Sequence, residues 1–153
     1  MQIVYQDATT TAHHDTAGIR DALDRMVAAW DAGDARAFAD EFTEHASYVI
    51  YVGLVYQGRD EIERGHQPVF EKWQKGTRMS MLVRSIRLLD DTTAVVLTEG
   101  GIGRRRVRRD KVQTYTFQRG TDGRWRCAAF QNTKKNRLFI RMNARATAEL
   151  TPA

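Results

Sequence analysis

The stretch TRMSMLVRSIRLLDDTTAVVLTEGGIG, residues 77–103, decides the fold because two strand-like runs flank a polar turn. Both runs are rich in β-branched and aliphatic residues, which favour strands. DDTT at 90–93 is typical of a turn. Two further runs of the same kind follow, KVQTYTFQRG at 111–120 and RWRCAAFQNT at 124–133, separated by TDG. The sequence therefore predicts a meander of four antiparallel strands in its C-terminal half.

Helical patterns precede this meander. A first helix is predicted to begin near Asp15 or Thr16, either of which can cap it, and to end at Gly33. Its apolar stripe consists of Ile19, Leu23, Met26, Val27 and Trp30. Asp34 is predicted to cap a short second helix, and residues 46–58, ASYVIYVGLVYQG, are typical of a strand or hairpin. Helices followed by antiparallel strands predict an α+β domain with helices packed on one face of a single curved sheet.

A third helix, GRDEIERGHQPVFEKW at 58–73, carries a histidine among apolar residues. Four residues recur there at steps of four, four and three: Ile62, His66, Phe70 and Trp73. That spacing places them on one helical face, although Pro68 could kink or break the helix. The histidine is therefore either a core residue with a satisfied hydrogen bond or a group that lines a cavity.

The length of 153 residues fits one domain, predicted at 16–140 between a flexible N-terminal leader at 1–15 and a C-terminal tail at 141–153. The single cysteine, Cys127, excludes an intrachain disulfide framework and is expected to be a buried, inert thiol. No apolar run approaches the ~20 residues that span a bilayer, and the N-terminus does not resemble a secretory signal. We expect no membrane association and a cytoplasmic location.

The formal net charge of +5 is unevenly distributed. Residues 1–45 hold three basic and nine acidic residues, whereas residues 101–145 hold fourteen basic and two acidic ones. The basic half contains RRRVRRDK, with arginines at Arg104, Arg105, Arg106, Arg108 and Arg109. Alternation would place arginine on both faces of a strand, so this run is predicted to project from the sheet as a mobile hairpin end.

The sequence allows several environments for this arginine-rich run. It could be solvated, dock on the acidic N-terminal helices, bind an acidic partner protein, or attract an anionic substrate at the mouth of a pocket. Nucleic acid ranks last, because clustered arginines bind it together with stacking aromatics, and this run contains none.

Three segments together carry a family resemblance: WDAGDARAFADEFTEHASYV at 30–49, GRDEIERGHQPVF at 58–70 and DGRWRCAAFQNT at 122–133. Their order resembles the NTF2-like superfamily of cone-shaped α+β barrels, which includes SnoaL-type cyclases and ketosteroid isomerases. It is most similar to the SgcJ/EcaC branch, small actinobacterial proteins associated with enediyne and other natural-product pathways. The resemblance runs from about Ala17 to Asn136. It implies three N-terminal helices on a curved, mostly antiparallel sheet, a conical apolar pocket, and a homodimer paired through the convex face.

The resemblance implies that the face of His66 points into the cone, where an imidazole could act as a general acid or base. Glu99 is the second catalytic candidate, since it ends an apolar strand face and could have a raised pKa. Alternatively, Glu99 is solvated beside the arginines that follow it. Aligned with the ketosteroid isomerases, the aspartate base falls at Ile50, which cannot accept a proton, so that chemistry is not expected.

The other candidates for the pocket are aromatic or amide side chains: Trp30, Tyr48, Phe70, Trp73, Tyr115, Gln131 and Asn132. Tyr48 and Tyr115 are either hydrogen-bond donors in the pocket or aromatic core. Gln131 and Asn132 are adjacent on a strand, so only one of them can face the pocket.

No cofactor is expected. His13 and His14 are adjacent in a polar leader, His45 lies near a helix end, and no cysteine has metal-ligand spacing with them, so a metal is not expected either. The sequence therefore predicts a protein that binds a hydrophobic small molecule or polyketide intermediate, as a binder or as a tailoring enzyme of enediyne-type biosynthesis. The alternative is a non-catalytic module that recruits an acidic partner through its arginines.

Overall fold

The chain forms one mixed sheet with its first three helices on the inner face. The computed structural model describes residues 2–5 and 16–146. Within them the strands are β1 (Gln2–Tyr5), β2 (Phe42–Val49), β3 (Val55–Gln57), β4 (Arg78–Leu88), β5 (Thr93–Gly103), β6 (Lys111–Arg119) and β7 (Trp125–Lys134). The α-helices are α1 (Ala17–Ala32), α2 (Ala35–Ala39), α3 (Arg59–Pro68) and α4 (Arg137–Ala146), and a π-helical turn, Val69–Trp73, follows α3 directly.

The seven strands are ordered β1-β4-β5-β6-β7-β2-β3. The antiparallel meander from β4 to β7 confirms the prediction for the C-terminal half. The strand β2 joins β7 in parallel and turns back antiparallel into β3. Register shifts interrupt the pairing of β4 with β5, of β6 with β7 and of β2 with β7. Such irregularities bend and twist strands, so the sheet can curve around α1 and α3.

The core lies between this concave sheet face and the helices. The predicted apolar stripe of α1 is buried throughout, and it belongs to the same buried cluster as Met81, Val83 and Val96 of the sheet. The helix ends at Gly33, whose φ of 68° is the left-handed conformation that glycine adopts without strain. Asp34 then caps α2, because its carboxylate accepts the backbone N–H of Ala37 at 2.9 Å. Both predictions of helix boundaries are confirmed.

The N-cap of α1 is Thr16, one of the two predicted residues, but it does not cap the helix with its side chain. Its buried hydroxyl has no partner among the described residues. Asp15, the other predicted cap, lies outside the described residues, as do His13 and His14.

The third helix changes pitch after Pro68. Because proline has no N–H, the regular ladder of hydrogen bonds is interrupted, and Gln74 N–H reaches back five residues to the carbonyl of Val69 at 2.7 Å. The wider turn shifts the phase of the side chains. His66 and Phe70 stay buried, whereas Trp73 is 70% exposed. The prediction that Trp73 shares their face is therefore wrong.

Both ends of the chain contain structure that the sequence analysis did not predict. Residues 2–5, placed in a flexible leader, form β1, which pairs in parallel with Ser80–Val83 of β4. The helix α4 crosses the predicted boundary between domain and tail at residue 140. The hairpin β2–β3 lies between α2 and α3, in the order that the sequence patterns predicted, so the three helices do not form one N-terminal block. Among the described residues, no helix is long and apolar enough to cross a bilayer.

The arginine-rich segment, residues 104–110, links β5 to β6 without regular structure. It lies outside the sheet ladder, as predicted, but it does not project. Its backbone folds back onto the sheet, where a Cβ atom at Gly101 would lie 1.8 Å from the carbonyl oxygen of Arg108. Arg109 Nε donates to Ser80 Oγ at 3.0 Å, and Arg104 Nε donates to the carbonyl of Lys75 at 3.1 Å. These contacts join the segment to β4, β5 and the turn before β4.

Candidate functional site

A cavity of about 400 Å³ lies between the concave face of the sheet and the helices α1 to α3. Its volume is within the range of small-molecule sites. Aromatic rings from several different elements form most of its wall: Trp30, Phe38, Tyr48, Tyr56, Tyr115 and Phe130. The Trp30 indole is fixed by a hydrogen bond from Nε1 to Thr77 Oγ1 at 3.1 Å. The cavity is therefore lined mainly by aromatic rings, and a hydrogen bond fixes the orientation of one of them, Trp30.

His66 lies in this wall and is 4% exposed. Its ring centroid lies 4.6 Å from that of Phe38 and 5.1 Å from that of Tyr48. Its Nδ1–H donates to the carbonyl of Ile62, one turn earlier, at 2.7 Å. Burial lowers its pKa to about 4, and the hydrogen bond to Ile62 offsets only part of that effect. The imidazole is therefore neutral near pH 7, and its Nε2 is a hydrogen-bond acceptor.

Two phenols of the wall, those of Tyr48 and Tyr115, are protonated. Burial raises the pKa of Tyr48 and of Tyr115 above the ordinary value for a phenol. Tyr115 is 1% exposed, and its ring lies 4.8 Å from that of Phe130 between centroids. Both residues thus line the cavity and belong to the aromatic core, and their role as hydrogen-bond donors to a ligand stays a prediction.

One end of the cavity is polar. Gln113 accepts the hydroxyl of Thr98 on its Oε1 at 2.9 Å, and Asn132 accepts the backbone N–H of Tyr51 on its Oδ1 at 2.8 Å. The Lys111 ammonium also lines this end, 2.7 Å from a carboxylate oxygen of Asp110. Neither Lys111 nor Gln113 was predicted from the sequence to line a pocket. Strand alternation could have found them, because they share a face of β6 with Tyr115.

The structure places the other predicted pocket residues in three different environments. Asn132 lines the cavity and Gln131 lines a shallow groove on the opposite face of the sheet, which resolves that alternative. Phe70 is buried with its ring centroid 4.9 Å from that of Trp30, behind the cavity wall. Trp73 is exposed, outside the cavity. Ile50 lines the cavity, so an aliphatic side chain stands where the resemblance places an aspartate base.

Glu99 lies on the convex face of the sheet, away from His66. It is 8% exposed, and Arg84 and Lys135 both form salt bridges with its carboxylate. Burial alone would raise its pKa, but the hydrogen bonds from Lys135 and Arg84 outweigh burial and lower the pKa below the ordinary value. Neither alternative for Glu99 describes this site, since it is a buried, ion-paired carboxylate and not a solvated one or one with a raised pKa.

The arginine-rich segment borders a second, open groove on the outside of the sheet. Arg106, Arg108, Arg109 and Arg137 line it together with Glu99. Among the described residues, no arginine lines the aromatic cavity, so the segment does not form its mouth. The described residues also contain no group of three or more potential metal ligands. Cys127 is buried, and burial raises the pKa of its thiol, as expected for an inert cysteine.

This chain belongs to the SnoaL-like domain family, whose model matches residues 19–131. Solved structures share the fold. A domain of unknown function with a cystatin-like fold from Nostoc punctiforme is 27% identical with a TM-score of 0.76, covering 92% of this chain and 90% of its own. A protein called Aln2 from a Streptomyces species is 17% identical with a TM-score of 0.71, covering 88% of this chain and 99% of its own.

A ketosteroid isomerase-like protein from Erwinia carotovora atroseptica is 14% identical with a TM-score of 0.63, covering 80% of this chain and 98% of its own. No curated protein matches this chain significantly. The size of the aromatic cavity suits a small-molecule ligand.

Proposed function

We propose that this protein binds a hydrophobic small molecule, of the polyketide or polyene type, in the aromatic cavity. It does so in the bacterial cytoplasm as a binder or tailoring enzyme of natural-product biosynthesis, and within its family it falls in the SgcJ/EcaC branch associated with enediynes. The observation that carries the proposal is an aromatic cavity of about 400 Å³ with a neutral histidine in its wall. Membership of the SnoaL-like domain family supports it.

The residues of the cavity favour binding and templating over strong acid–base catalysis. His66 can accept a proton on Nε2, but its low pKa makes it a weak base. Ile50 cannot accept one, and Glu99 lies on the other face of the sheet. A reactive polyene held among rings would be kept from water and from unwanted conformations, which accelerates one cyclisation without a strong acid or base.

Binding can be tested with the neutral, fluorescent probe N-phenyl-1-naphthylamine. We expect a saturable increase in its fluorescence, with one probe per chain. Ile50→Trp adds bulk to the cavity wall and should abolish binding, whereas Val49→Trp, one residue earlier and on the opposite sheet face, should not. Absence of binding to the unaltered protein, or equal binding by both variants, would refute the proposal.

A catalytic role rests on His66 and needs its own test. His66→Ala should remain folded, because the cavity tolerates lost volume beside it, and should reduce product formation in a pathway assay. His66→Gln is the matched variant, since its amide can still accept a hydrogen bond without acting as a base. Full product formation by both variants would leave binding as the function and remove the catalytic role.

The second candidate is a non-catalytic module that recruits an acidic partner protein. Its support is the exposure of Arg104, Arg105, Arg106 and Arg108 on one segment. Reversing the charge of Arg105 and Arg106 to glutamate would then abolish function, while His66 would be dispensable. Partner binding should weaken steeply with salt, because exposed charges are screened. A salt-independent interaction would contradict this candidate.

We further propose a homodimer paired through the convex face of the sheet. The groove there is lined by short and β-branched side chains, including Val49, Val112, Thr114 and Thr116, which suit close packing of two sheets. Sedimentation equilibrium should give twice the chain mass, and Thr114→Arg should give a monomer. A monomeric unaltered protein would contradict this proposal without affecting the cavity.

A further inference from the structure

The polar end of the cavity is made by three side chains on two neighbouring strands. Lys111 and Gln113 are two residues apart on β6, so they lie on the same face. Asn132 of β7 is the direct cross-strand partner of Gln113. Side chains paired in this way have Cβ atoms about 5 Å apart. All three line the cavity, so one ligand group can contact them together.

Both amides are oriented so that they offer hydrogen-bond donors. The carbonyl oxygen of Gln113 is occupied by the Thr98 hydroxyl and that of Asn132 by the Tyr51 backbone N–H. Among the described residues, neither side-chain nitrogen donates a hydrogen bond. Gln113 is 6% exposed as a residue, but its side-chain nitrogen is not among the atoms that are both buried and without a partner, so it remains accessible from the cavity. The geometry thus leaves the N–H groups of both amides available to an acceptor within the cavity.

Lys111 adds a positive charge to these donors. Its ammonium group has three N–H donors, of which Asp110 takes one, and its Nζ lies 5.2 Å from the centre of the Tyr51 ring. Among the described residues it is the only lysine or arginine that lines the cavity. On the helical side of the cavity, the neutral His66 of α3 offers a lone pair on Nε2, which repels an anion placed beside it. The cavity therefore has a cationic donor end and an aromatic end with an acceptor.

We infer that the ligand is an acidic compound: an aromatic or polyene body in the cavity, with one anionic oxygen group, such as a carboxylate, held by Lys111, Gln113 and Asn132. This inference rests on the proposed binding function and narrows its substrate class. A neutral carbonyl would satisfy the amides alone. The ammonium is what discriminates in favour of an anion, since charge-assisted hydrogen bonds are about twice as strong as neutral ones.

The test uses two probes that share one aromatic body. N-phenyl-1-naphthylamine is neutral, and 1-anilinonaphthalene-8-sulfonate adds one anionic oxygen group to it. We expect the unaltered protein to bind the sulfonate about tenfold more tightly than the neutral probe. Lys111→Met should remove most of this preference and change the affinity for the neutral probe by less than about twofold.

The control variant is Lys72→Met, which removes the same charge from an exposed lysine outside the cavity wall. It should leave both affinities unchanged. Gln113→Leu should weaken binding of the sulfonate several-fold. If circular dichroism shows that Lys111→Met is misfolded, Lys111→Gln, which keeps N–H donors without the charge, provides the same comparison.

The outcomes separate this inference from the proposed function. If neither probe binds, the cavity is not a ligand site and both proposals fail. If the neutral probe binds and the sulfonate binds no more tightly, the binding function stands and the acidic ligand is refuted. An equal loss of sulfonate affinity in Lys72→Met and Lys111→Met would assign the preference to overall surface charge and would also refute it.

Discussion

The Nδ1–H of His66 donates to the carbonyl oxygen of Ile62, one helical turn earlier, at 2.7 Å. This bond satisfies one ring nitrogen within the helix and fixes the tautomer, so that the other nitrogen keeps its lone pair. His66 fits both of the alternatives that the sequence leaves open. It is a core histidine with a satisfied hydrogen bond, and it also lines the cavity.

Stability should fall as the pH falls because of His66. Its pKa is about 4 in the folded protein against 6.5 for an ordinary histidine, so the unfolded chain binds more protons between these values. The contribution of neutral His66 is complete above pH 6.5 and is lost as the pH falls toward 4. Between pH 7 and pH 5 the free energy of unfolding should decrease by about 2 kcal/mol from this residue.

Urea titrations of the unaltered protein and of His66→Gln at both pH values isolate this contribution. The difference between the two proteins should change by that amount, because carboxylates titrate equally in both. A difference that stays constant from pH 7 to pH 5 would show that His66 is solvated.

The π-helical turn predicts unequal costs for two aromatic residues. Phe70→Ala should lower the free energy of unfolding by about 3–5 kcal/mol, because it empties a buried site against Trp30. Trp73→Ala should cost less than about 0.5 kcal/mol, because Trp73 is exposed. Chemical denaturation measures both. Similar costs would mean that the helix continues with regular pitch and buries Trp73.

Glu99 is expected to matter for stability and not for ligand binding. Glu99→Gln leaves Arg84 and Lys135 beside a neutral group, which should destabilise the protein by about 1–3 kcal/mol. The affinity for N-phenyl-1-naphthylamine should be unchanged, since Glu99 does not line the cavity. A large change in that affinity at unchanged stability would show that Glu99 contributes to ligand binding.

Gly101 is predicted to hold the arginine-rich segment against the sheet. A Cβ atom there would lie 1.8 Å from the carbonyl oxygen of Arg108, whereas at Gly103 the nearest atom would be 3.4 Å away. Gly101→Ala should therefore displace residues 104–110 and speed their amide hydrogen exchange, and Gly103→Ala should change it little. Equal exchange in the two variants would show that the segment does not depend on this contact.

Local chemistry made part of the fold predictable. Gly33 and Asp34 end one helix and begin the next through contacts within a few residues, and strand propensity with turn signals defines the meander. Long-range contacts account for what was missed. The four residues of β1 have no signal of their own until β4 lies beside them, and the partners of Glu99 are 15 and 36 residues away in sequence.

The site was predictable to a similar degree. Periodicity placed His66 on the buried face of its helix, but only the packing of α3 shows where regular pitch ends after Pro68. The choice between Gln131 and Asn132 depends on the register of β7, which alternation within one strand does not specify. Alternation along β6 could have predicted that Lys111 and Gln113 face the cavity, because they lie four and two residues before Tyr115 on the same face.

The short strand β1 protects the long strand β4 from self-association. It hydrogen-bonds to Ser80–Val83, which would otherwise form the outer margin of the sheet. Unpaired edge strands can pair with strands of other molecules, which leads to aggregation. A shortened version of the chain that starts after Tyr5 would expose those backbone groups, so tags and truncations for crystallisation are better placed at the other terminus.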